Sequence, residues 1–328
     1  MLKILLVLLI CLALAVAFVV WRLSERSASA RANFPPNGQM IDVGGVEVHA
    51  YVAGEGPDLV LIHGAGGNLR DFTFDLTDRL TDRYRVIAFD RPGFGYTGHP
   101  PDADVERGES PREQARLLQA AADALGVTDP VVLGHSFGGA VAMAWALERP
   151  DATGALVVLG GATMPWPGDL DPLYGINASA VGGAIVVPLI SAFATHDMAV
   201  KVLERVFAPD PVPAGYSDAF GIPLTLRRET QLSNARQVNG LRPHVVSMSE
   251  SYAGLTVPVE LVHGTADEIV PAEVHAIPLS GILPDAELTL LPGVGHMPHH
   301  AATGEVIAAI DRAAGRRRAD ARAEAASK

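Results

Sequence analysis

The stretch PVVLGHSFGGAVAMAWAL (residues 130–147) places a serine where two kinds of secondary structure meet. The β-branched run Val131–Leu133 predicts a buried strand, and the alanine-rich residues after Ser136 have helical spacing. Gly134 and Gly138 complete a G-x-S-x-G pattern, which is typical of a tight strand-to-helix turn that strains its central serine and exposes the hydroxyl. Since a strand and a helix flank the pattern, we interpret Ser136 as a nucleophile rather than a helix cap.

A serine nucleophile needs a base and an orienting acid, and the chain offers both after predicted strands. Asp267 follows the strand in VPVELVHG (257–264), and His296 lies in a glycine-rich turn after AELTLLPG (286–293). The chain order Ser136, Asp267, His296 therefore predicts a catalytic triad in which His296 moves the proton and Asp267 orients the imidazole.

An oxyanion formed by attack on a carbonyl needs two N–H donors. We expect one from the backbone of Phe137, at the start of the helix. The other is expected from HGAGGN (63–68), with Ala65 the first choice and Gly66 the second. His135, beside the nucleophile, is a candidate for lining the pocket, although it is equally compatible with simple packing.

The rest of the chain predicts an α/β fold, with a mostly parallel β-sheet covered by helices on both faces. Two alternating runs around Gly44 and Gly45 predict a β-hairpin, and a capping box from Ser110 to Glu113 opens a helix. Further apolar strands alternate with helical stretches: 58–64, 84–90 and 155–161.

A long interval between the strand near Gly161 and the strand near Val257 interrupts this alternation. It contains the apolar run VGGAIVVPLISAF (181–193) and the helix-like HDMAVKVLERVFA (196–208), and it is too long for a loop in a compact domain. The sequence thus predicts a core at 39–164 and 246–315. A helical cap is inserted into it at 165–245, and a disordered tail follows at 316–328.

The N-terminal run Ile4–Trp21 contains no charged residue, and a helix of that length spans about 27 Å, close to the hydrocarbon thickness of a bilayer. We predict a membrane anchor at 1–23, contacting the lipid bilayer through residues 4–21, and a linker at 24–38. The expected location is a bacterial inner membrane with the catalytic domain in the periplasm. Basic residues flank the run on both sides and do not decide its orientation. Ala28–Ala30 offers a signal cleavage site, so secretion is the alternative.

Composition narrows the possible partners. The formal net charge of −12 argues against nucleic-acid binding. Cys11 is the only cysteine, which excludes intrachain disulfides and cysteine-based metal sites. His299 and His300 follow His296 closely, but no matching carboxylate pattern accompanies them, so no metal is expected.

The segments HGAGG, DRPGFGYTG, GHSFGG, HGTADEIVP and GHMPHH resemble, in order, those of the α/β-hydrolase fold superfamily across residues 39–315. The resemblance is to its serine-nucleophile branch of esterases and haloperoxidase-like enzymes, since epoxide hydrolases and dehalogenases carry aspartate where this chain has Ser136. It implies no cofactor and structural roles for His63 and Asp90. The side chain of Glu268 follows the turn, which makes it a poor rival to Asp267.

These residues together predict hydrolysis of carboxylic esters through an acyl-enzyme. The apolar cap segment Ala184–Phe193 predicts a small-molecule substrate with an apolar part. Two alternatives use the same triad, namely carbon–carbon bond hydrolysis of dienoic ketone acids and a cofactor-free, haloperoxidase-like perhydrolase activity. A non-catalytic relative of the fold is disfavoured by the intact triad and oxyanion loop.

Overall fold

A computed structural model of the protein describes residues 1–100, 103–104 and 107–326, and the side chains of its last helix as far as residue 317. The strands are β1 Gln39–Val43, β2 Val46–Ala53, β3 Asp58–Ile62, β4 Arg85–Phe89, β5 Val131–His135, β6 Ala155–Leu159, β7 Val259–Gly264 and β8 Ala286–Leu291. The longer helices are α1 Leu2–Asn33, α3 Pro111–Ala124, α4 Phe137–Glu148, α6 Ala180–Phe193, α7 His196–Phe207, α10 Arg228–Ser249 and α13 Thr303–Ala326. The shorter ones are α2 Arg70–Thr73, α5 Pro172–Ala178, α8 Tyr216–Ala219, α9 Ile222–Thr225, α11 Ala276–Ile282 and α12 Pro298–Ala301.

One eight-stranded sheet organises the molecule, in the order β1-β2-β4-β3-β5-β6-β7-β8. The hairpin β1–β2 turns at Gly44 and Gly45 as predicted, and β2 pairs antiparallel with β4. From β4 to β8 all pairings are parallel. The carboxyl ends of β5, β6, β7 and β8 therefore lie at one edge of the sheet, where parallel α/β proteins hold their ligands.

The sheet is buried on both faces, which explains why its central strands are continuously apolar rather than alternating. One face carries Val132, Leu156 and Leu261 and packs against α3 and α4. The other carries Leu133 and Val157 and packs against α13. The capping box forms as predicted, because the Ser110 hydroxyl accepts the Glu113 N–H while the Glu113 carboxylate accepts the Ser110 N–H.

The interval predicted to be a cap consists of helices α5 to α10. Its last helix, α10, crosses the predicted boundary at residue 245 and ends at Ser249. The boundary was misplaced because Val245 and Met248 are buried and continue the apolar face of this helix.

The N-terminal helix is longer than predicted. The segment 24–38 was expected to be a linker, yet α1 continues to Asn33 and leaves only 34–38 outside the helix. Ala and Arg in this segment favour helix, and Ala30 is buried against the rest of the protein. Among the described helices α1 is the one that is long and apolar enough by itself to cross a membrane. The pair α5 and α6 passes the same test only jointly, with a 105° bend between them.

The C-terminal segment 316–328 also differs from the expected disordered tail. Residues 316–326 belong to α13, while residues 327–328 lie outside the described part of the chain. Adding alanine, arginine and glutamate to a helix already formed avoids the cost of nucleation, which explains the extension.

Candidate active site

Ser136 occupies a strained turn between β5 and α4, with φ 54° and ψ −117°. A non-glycine residue in this region costs on the order of 1–3 kcal/mol, so the surroundings must enforce it. The Ser136 N–H donates to the Leu159 carbonyl at 2.9 Å, and the Ser136 carbonyl accepts the Gly139 N–H at 2.9 Å and the Ala162 N–H at 3.1 Å.

Two glycines allow this turn to form. A Cβ on Gly134 would lie 2.1 Å from the Gly138 carbonyl oxygen, and a Cβ on Gly138 would lie 2.2 Å from the Ile62 carbonyl oxygen. Both positions therefore need glycine because backbone approaches backbone, which is the physical content of the G-x-S-x-G pattern.

His296 and Asp267, the candidate base and orienting acid, are hydrogen-bonded to each other. His296 Nδ1 and Asp267 Oδ2 are 2.7 Å apart, and both side chains are buried. The other carboxylate oxygen, Oδ1, accepts the backbone N–H groups of Ile269 and Val270, each at 2.9 Å. With Nδ1 donating to the carboxylate, Nε2 of His296 is left as the basic nitrogen.

The carboxyl group of Asp267 remains ionised in this setting. Burial alone would raise its pKa, but hydrogen bonds from His263 and His296 and the backbone N–H of Val270 outweigh burial. The pKa of Asp267 therefore lies well below its usual range. A carboxylate held as an anion stabilises the imidazolium that forms when the histidine accepts a proton.

The pair is brought to Ser136 by the residues around it. His135 Nε2 lies 2.9 Å from the His296 carbonyl oxygen and donates to it. This bond ties the turn that carries His296, called the histidine turn below, to the residue preceding Ser136. Gly160, just after β6, packs against the hydrogen-bonded pair itself, because a Cβ there would lie 3.4 Å from both Asp267 Oδ2 and His296 Nδ1. The structure thus gathers the three predicted triad residues at one sheet edge.

For His135, the structure favours packing, one of the two alternatives that the sequence left open. Its ring is buried and contacts the rings of His296 and His299, with centroids 4.9 and 4.7 Å away. Burial, followed by the neighbouring His299 and His296, holds the pKa of His135 well below its usual range, so the ring is neutral. His135 positions the histidine turn.

The structure distinguishes between the candidate oxyanion donors. Phe137 is the first residue of α4, so its N–H has no partner within the helix. The second-choice donor, Gly66, is engaged instead by the cap, because its N–H donates to Asn234 Oδ1 at 2.7 Å. Ala65 therefore remains the candidate for the second donor. Asn234, which the sequence reasoning missed, links α10 to the turn that carries this donor.

Arg91 is a second residue that sequence reasoning missed. Its fully buried guanidinium lies between the rings of Phe94 and Phe137, with its central carbon 4.4 Å from each centroid. It donates to the Gly64 carbonyl at 2.9 Å, next to Ala65. One cation thus contacts both segments that carry the candidate oxyanion donors. Burial lowers the pKa of Arg91 to about 9, which leaves it charged at neutral pH.

His63 supports the same turn, as the resemblance implied. Burial, followed by the charge of Arg91, lowers the pKa of His63 to about 3, so the ring is neutral. Its Nε2 accepts the backbone N–H of Arg91 at 3.0 Å, so the ring proton is on Nδ1. Nδ1 donates it to the Gly64 carbonyl at 2.8 Å.

His299 and His300 do have a carboxylate partner, contrary to what their sequence surroundings indicated. Asp71, far away in the chain, lies 3.1 Å from His299 Nε2 and 2.9 Å from His300 Nε2, and accepts the Tyr216 hydroxyl at 2.7 Å. Burial would raise the pKa of Asp71, but the two histidines hold it well below its usual range. These hydrogen bonds engage the buried carboxylate and join the cap residue Tyr216 to the segment that follows His296.

Several large apolar side chains of the cap segment Ala184–Phe193 point away from the rest of the protein. Val181, Ile185, Leu189 and Phe193 are exposed on the outer surface of α6, as is Ala184. The inner surface of the helix is formed by small or branched residues instead: Gly182, Gly183, Val187, Pro188, Ser191 and Ala192.

Comparison of the chain with known proteins identifies its family. The chain belongs to the alpha/beta hydrolase family, whose model matches residues 59–309. It is similar to the 2-hydroxymuconate semialdehyde hydrolase of Pseudomonas sp. (strain CF600), with 28% identity over 298 residues, 87% of this chain and 99% of the relative.

Solved structures agree on the fold. An alpha/beta hydrolase fold protein from Burkholderia ambifaria matches with a TM-score of 0.69 and 25% identity, over 83% of this chain and 96% of that one. A membrane phospholipase A described as a bacterial virulence factor matches with a TM-score of 0.65 and 23% identity, over 95% of this chain and 99% of that one.

Replacing the acid of the triad tests its assignment. Asp267→Asn is expected to fold normally and to lose up to about 10⁴-fold in kcat with little change in KM, because the amide no longer holds the productive tautomer. Steady-state kinetics on an ester substrate measure this. The control is the exposed neighbour, Glu268→Gln, which should retain wild-type turnover. Wild-type turnover in Asp267→Asn, with a large loss in Asp90→Asn, would place the acid elsewhere.

Replacing Arg91 tests whether it positions the turn at 63–68 that carries Ala65, called the oxyanion turn below. Arg91→Lys keeps a cation but loses the planar group that lies between two rings, and we expect kcat to fall roughly 10²-fold while KM changes little. Kinetics and circular dichroism on the same preparation separate this loss from unfolding. Arg116→Lys, in a surface ion pair with Glu148, serves as the control. A folded Arg91→Lys with wild-type kcat would contradict the positioning role.

Proposed function

We propose that this protein is a serine hydrolase that cleaves carboxylic esters through an acyl-enzyme. The observation that carries the proposal is the strained Ser136 at the sheet edge that also holds the buried, hydrogen-bonded pair His296–Asp267. Membership of the alpha/beta hydrolase family supports hydrolysis as the reaction.

The proposed mechanism follows from the proton positions. His296 Nε2 takes the proton from Ser136 Oγ as the oxygen attacks the ester carbonyl, and Asp267 stabilises the imidazolium. The backbone N–H groups of Phe137 and Ala65 stabilise the oxyanion. The proton then passes from His296 to the leaving alcohol. Water, activated by the same nitrogen, attacks the acyl-enzyme and releases the acid with the serine restored.

Carbon–carbon bond hydrolysis is the second candidate. Its support is the similarity to a hydrolase named for 2-hydroxymuconate semialdehyde, which covers nearly the whole length of that relative. The same three triad residues serve either reaction, so activity on each kind of substrate has to distinguish the two candidate functions.

A substrate panel with a nucleophile variant tests both candidates. The full-length chain in mild detergent should hydrolyse p-nitrophenyl esters. Ser136→Ala should lose roughly 10⁴-fold or more in kcat, because the attacking oxygen is gone. Ser280→Ala, at a half-buried serine whose hydroxyl donates to the Ile277 carbonyl on α11, provides the control. Hydrolysis of a dienoic ketone acid with no turnover of any ester would favour the second candidate, and wild-type ester turnover in Ser136→Ala would exclude the assigned nucleophile.

We further propose that α1 is retained as a membrane anchor, with the catalytic domain in the periplasm. The candidate cleavage site at Ala28–Ala30 lies inside the continuous helix, and Ala30 is buried. Beyond the apolar run, Arg26 donates to the carbonyl groups of Ala192 and Ala194 at 3.2 and 2.8 Å. Cleavage after residue 30 would remove these contacts with the cap.

Membrane extraction tests the anchor. The protein should remain in the membrane pellet through a carbonate wash, and external protease should digest its catalytic domain in spheroplasts. Leu8→Arg with Leu12→Arg should release it from the pellet, since charges within the hydrocarbon region are costly. A mature N-terminus near Arg31 would show that the segment is a cleaved signal, and protection from protease would place the domain on the other side.

A further inference from the structure

We infer that the outer surface of the cap rests on the bilayer and that the enzyme takes its substrate, an ester with a long acyl chain, from the membrane. This inference rests on the proposed function and names the substrate class of the same site. It starts from a row of side chains on α6 that the catalytic site does not use.

The row consists of Val181, Ile185, Leu189 and Phe193, spaced by four residues and therefore aligned along one face of α6. We call it the cap stripe. Its members are between 44 and 70% exposed, although each is a large apolar residue. A continuous exposed apolar face of this kind marks an interaction surface rather than ordinary solvent-exposed structure.

The neighbouring helices extend the same surface. On α7, Met198 and Val202 are exposed with the same spacing, and on α5 Leu173 and Ile176 are exposed. Together α5 and α6 are as apolar as a membrane-spanning segment, yet the 105° bend between them does not suit a single straight span. Such a pair fits the interface of a bilayer, where an apolar face lies against lipid and the rest of the helix does not.

Continuity with α1 identifies lipid as the occupant. Phe193, the last member of the cap stripe, contacts Phe18 of α1, with ring centroids 6.4 Å apart. Phe18 belongs to the uncharged run Ile4–Trp21, whose large side chains are exposed. Arg22 and Arg26, the first basic residues after this run, donate to the carbonyl group of Ala192. The end of α6 is therefore held at the level where the apolar run ends.

The same helical layer reaches the active site on its other side. Gly183, on the buried face of α6, lies against Leu232 of α10, where an added Cβ would come within 2.9 Å of the leucine Cδ2. Two residues further along α10, Asn234 accepts the Gly66 N–H of the oxyanion turn. Contacts through α6 and α10 thus connect the surface assigned to lipid with the turn that carries a candidate oxyanion donor.

The first test compares one ester in a membrane with one in water. Full-length protein is reconstituted in phosphatidylethanolamine–phosphatidylglycerol vesicles and given 4-methylumbelliferyl palmitate in the bilayer or the butyrate in solution. Ile185→Glu and Leu189→Glu should each reduce palmitate hydrolysis about tenfold or more and leave butyrate hydrolysis within about twofold, because a charge weakens seating on the interface. The control, Ile277→Glu on α11, changes an exposed isoleucine outside the cap and should affect neither substrate. Equal palmitate and butyrate losses, or none, would overturn the inference.

The second test does not depend on activity. A nitroxide is attached through Ile185→Cys in a Cys11→Ser background and compared with one attached through Ile277→Cys. In vesicles the label at 185 should be relaxed by oxygen and shielded from a water-soluble nickel complex, and the label at 277 should behave in the opposite way. Nickel accessibility at 185, or spin–spin coupling between two copies, would overturn the inference. A wild-type chain that cleaves neither ester would contradict the proposed function, while the label would still report where the cap lies.

Discussion

The positive φ of Ser136 is the constraint on which the rest of the site depends. It costs on the order of 1–3 kcal/mol against a folding free energy of about 5–15 kcal/mol, so it persists only because the neighbouring backbone allows no alternative. Gly134 and Gly138 let β5, α4 and the end of β3 approach within contact distance. This approach puts the hydroxyl at the sheet edge, where the turns after β7 and β8 deliver Asp267 and His296.

Buried polar groups convert that constraint into a defined geometry. Arg91 and His63 both donate to the carbonyl group of Gly64, while the ring of Phe137 packs on the Arg91 guanidinium. His135 donates to the carbonyl group of His296 and so holds the histidine turn. Each of these groups is expensive to bury unless it is paired, so their hydrogen bonds specify one arrangement of the site rather than several.

The sequence predicted the parts of the molecule that depend on local pattern. Apolar strands, the capping box at Ser110 and the serine turn follow from neighbouring residues, as does the position of Asp267 after its strand. Arg91, Asn234 and Asp71 could not be found in this way, because their partners lie far away in the chain and only the folded topology brings them together. The outward direction of the large apolar residues on α6 could not be predicted for a related reason, since periodicity shows that a face exists but not what it faces.

The central claim, that Ser136 is the acylated residue, is tested most directly by mass spectrometry of the quenched reaction. The full-length chain is mixed with a slowly deacylated ester, stopped with acid within the first turnover and digested. The account predicts one acyl adduct, on the peptide that contains Ser136, appearing together with a burst of released alcohol. An adduct on another residue, or turnover with no covalent intermediate at any time point, would contradict it.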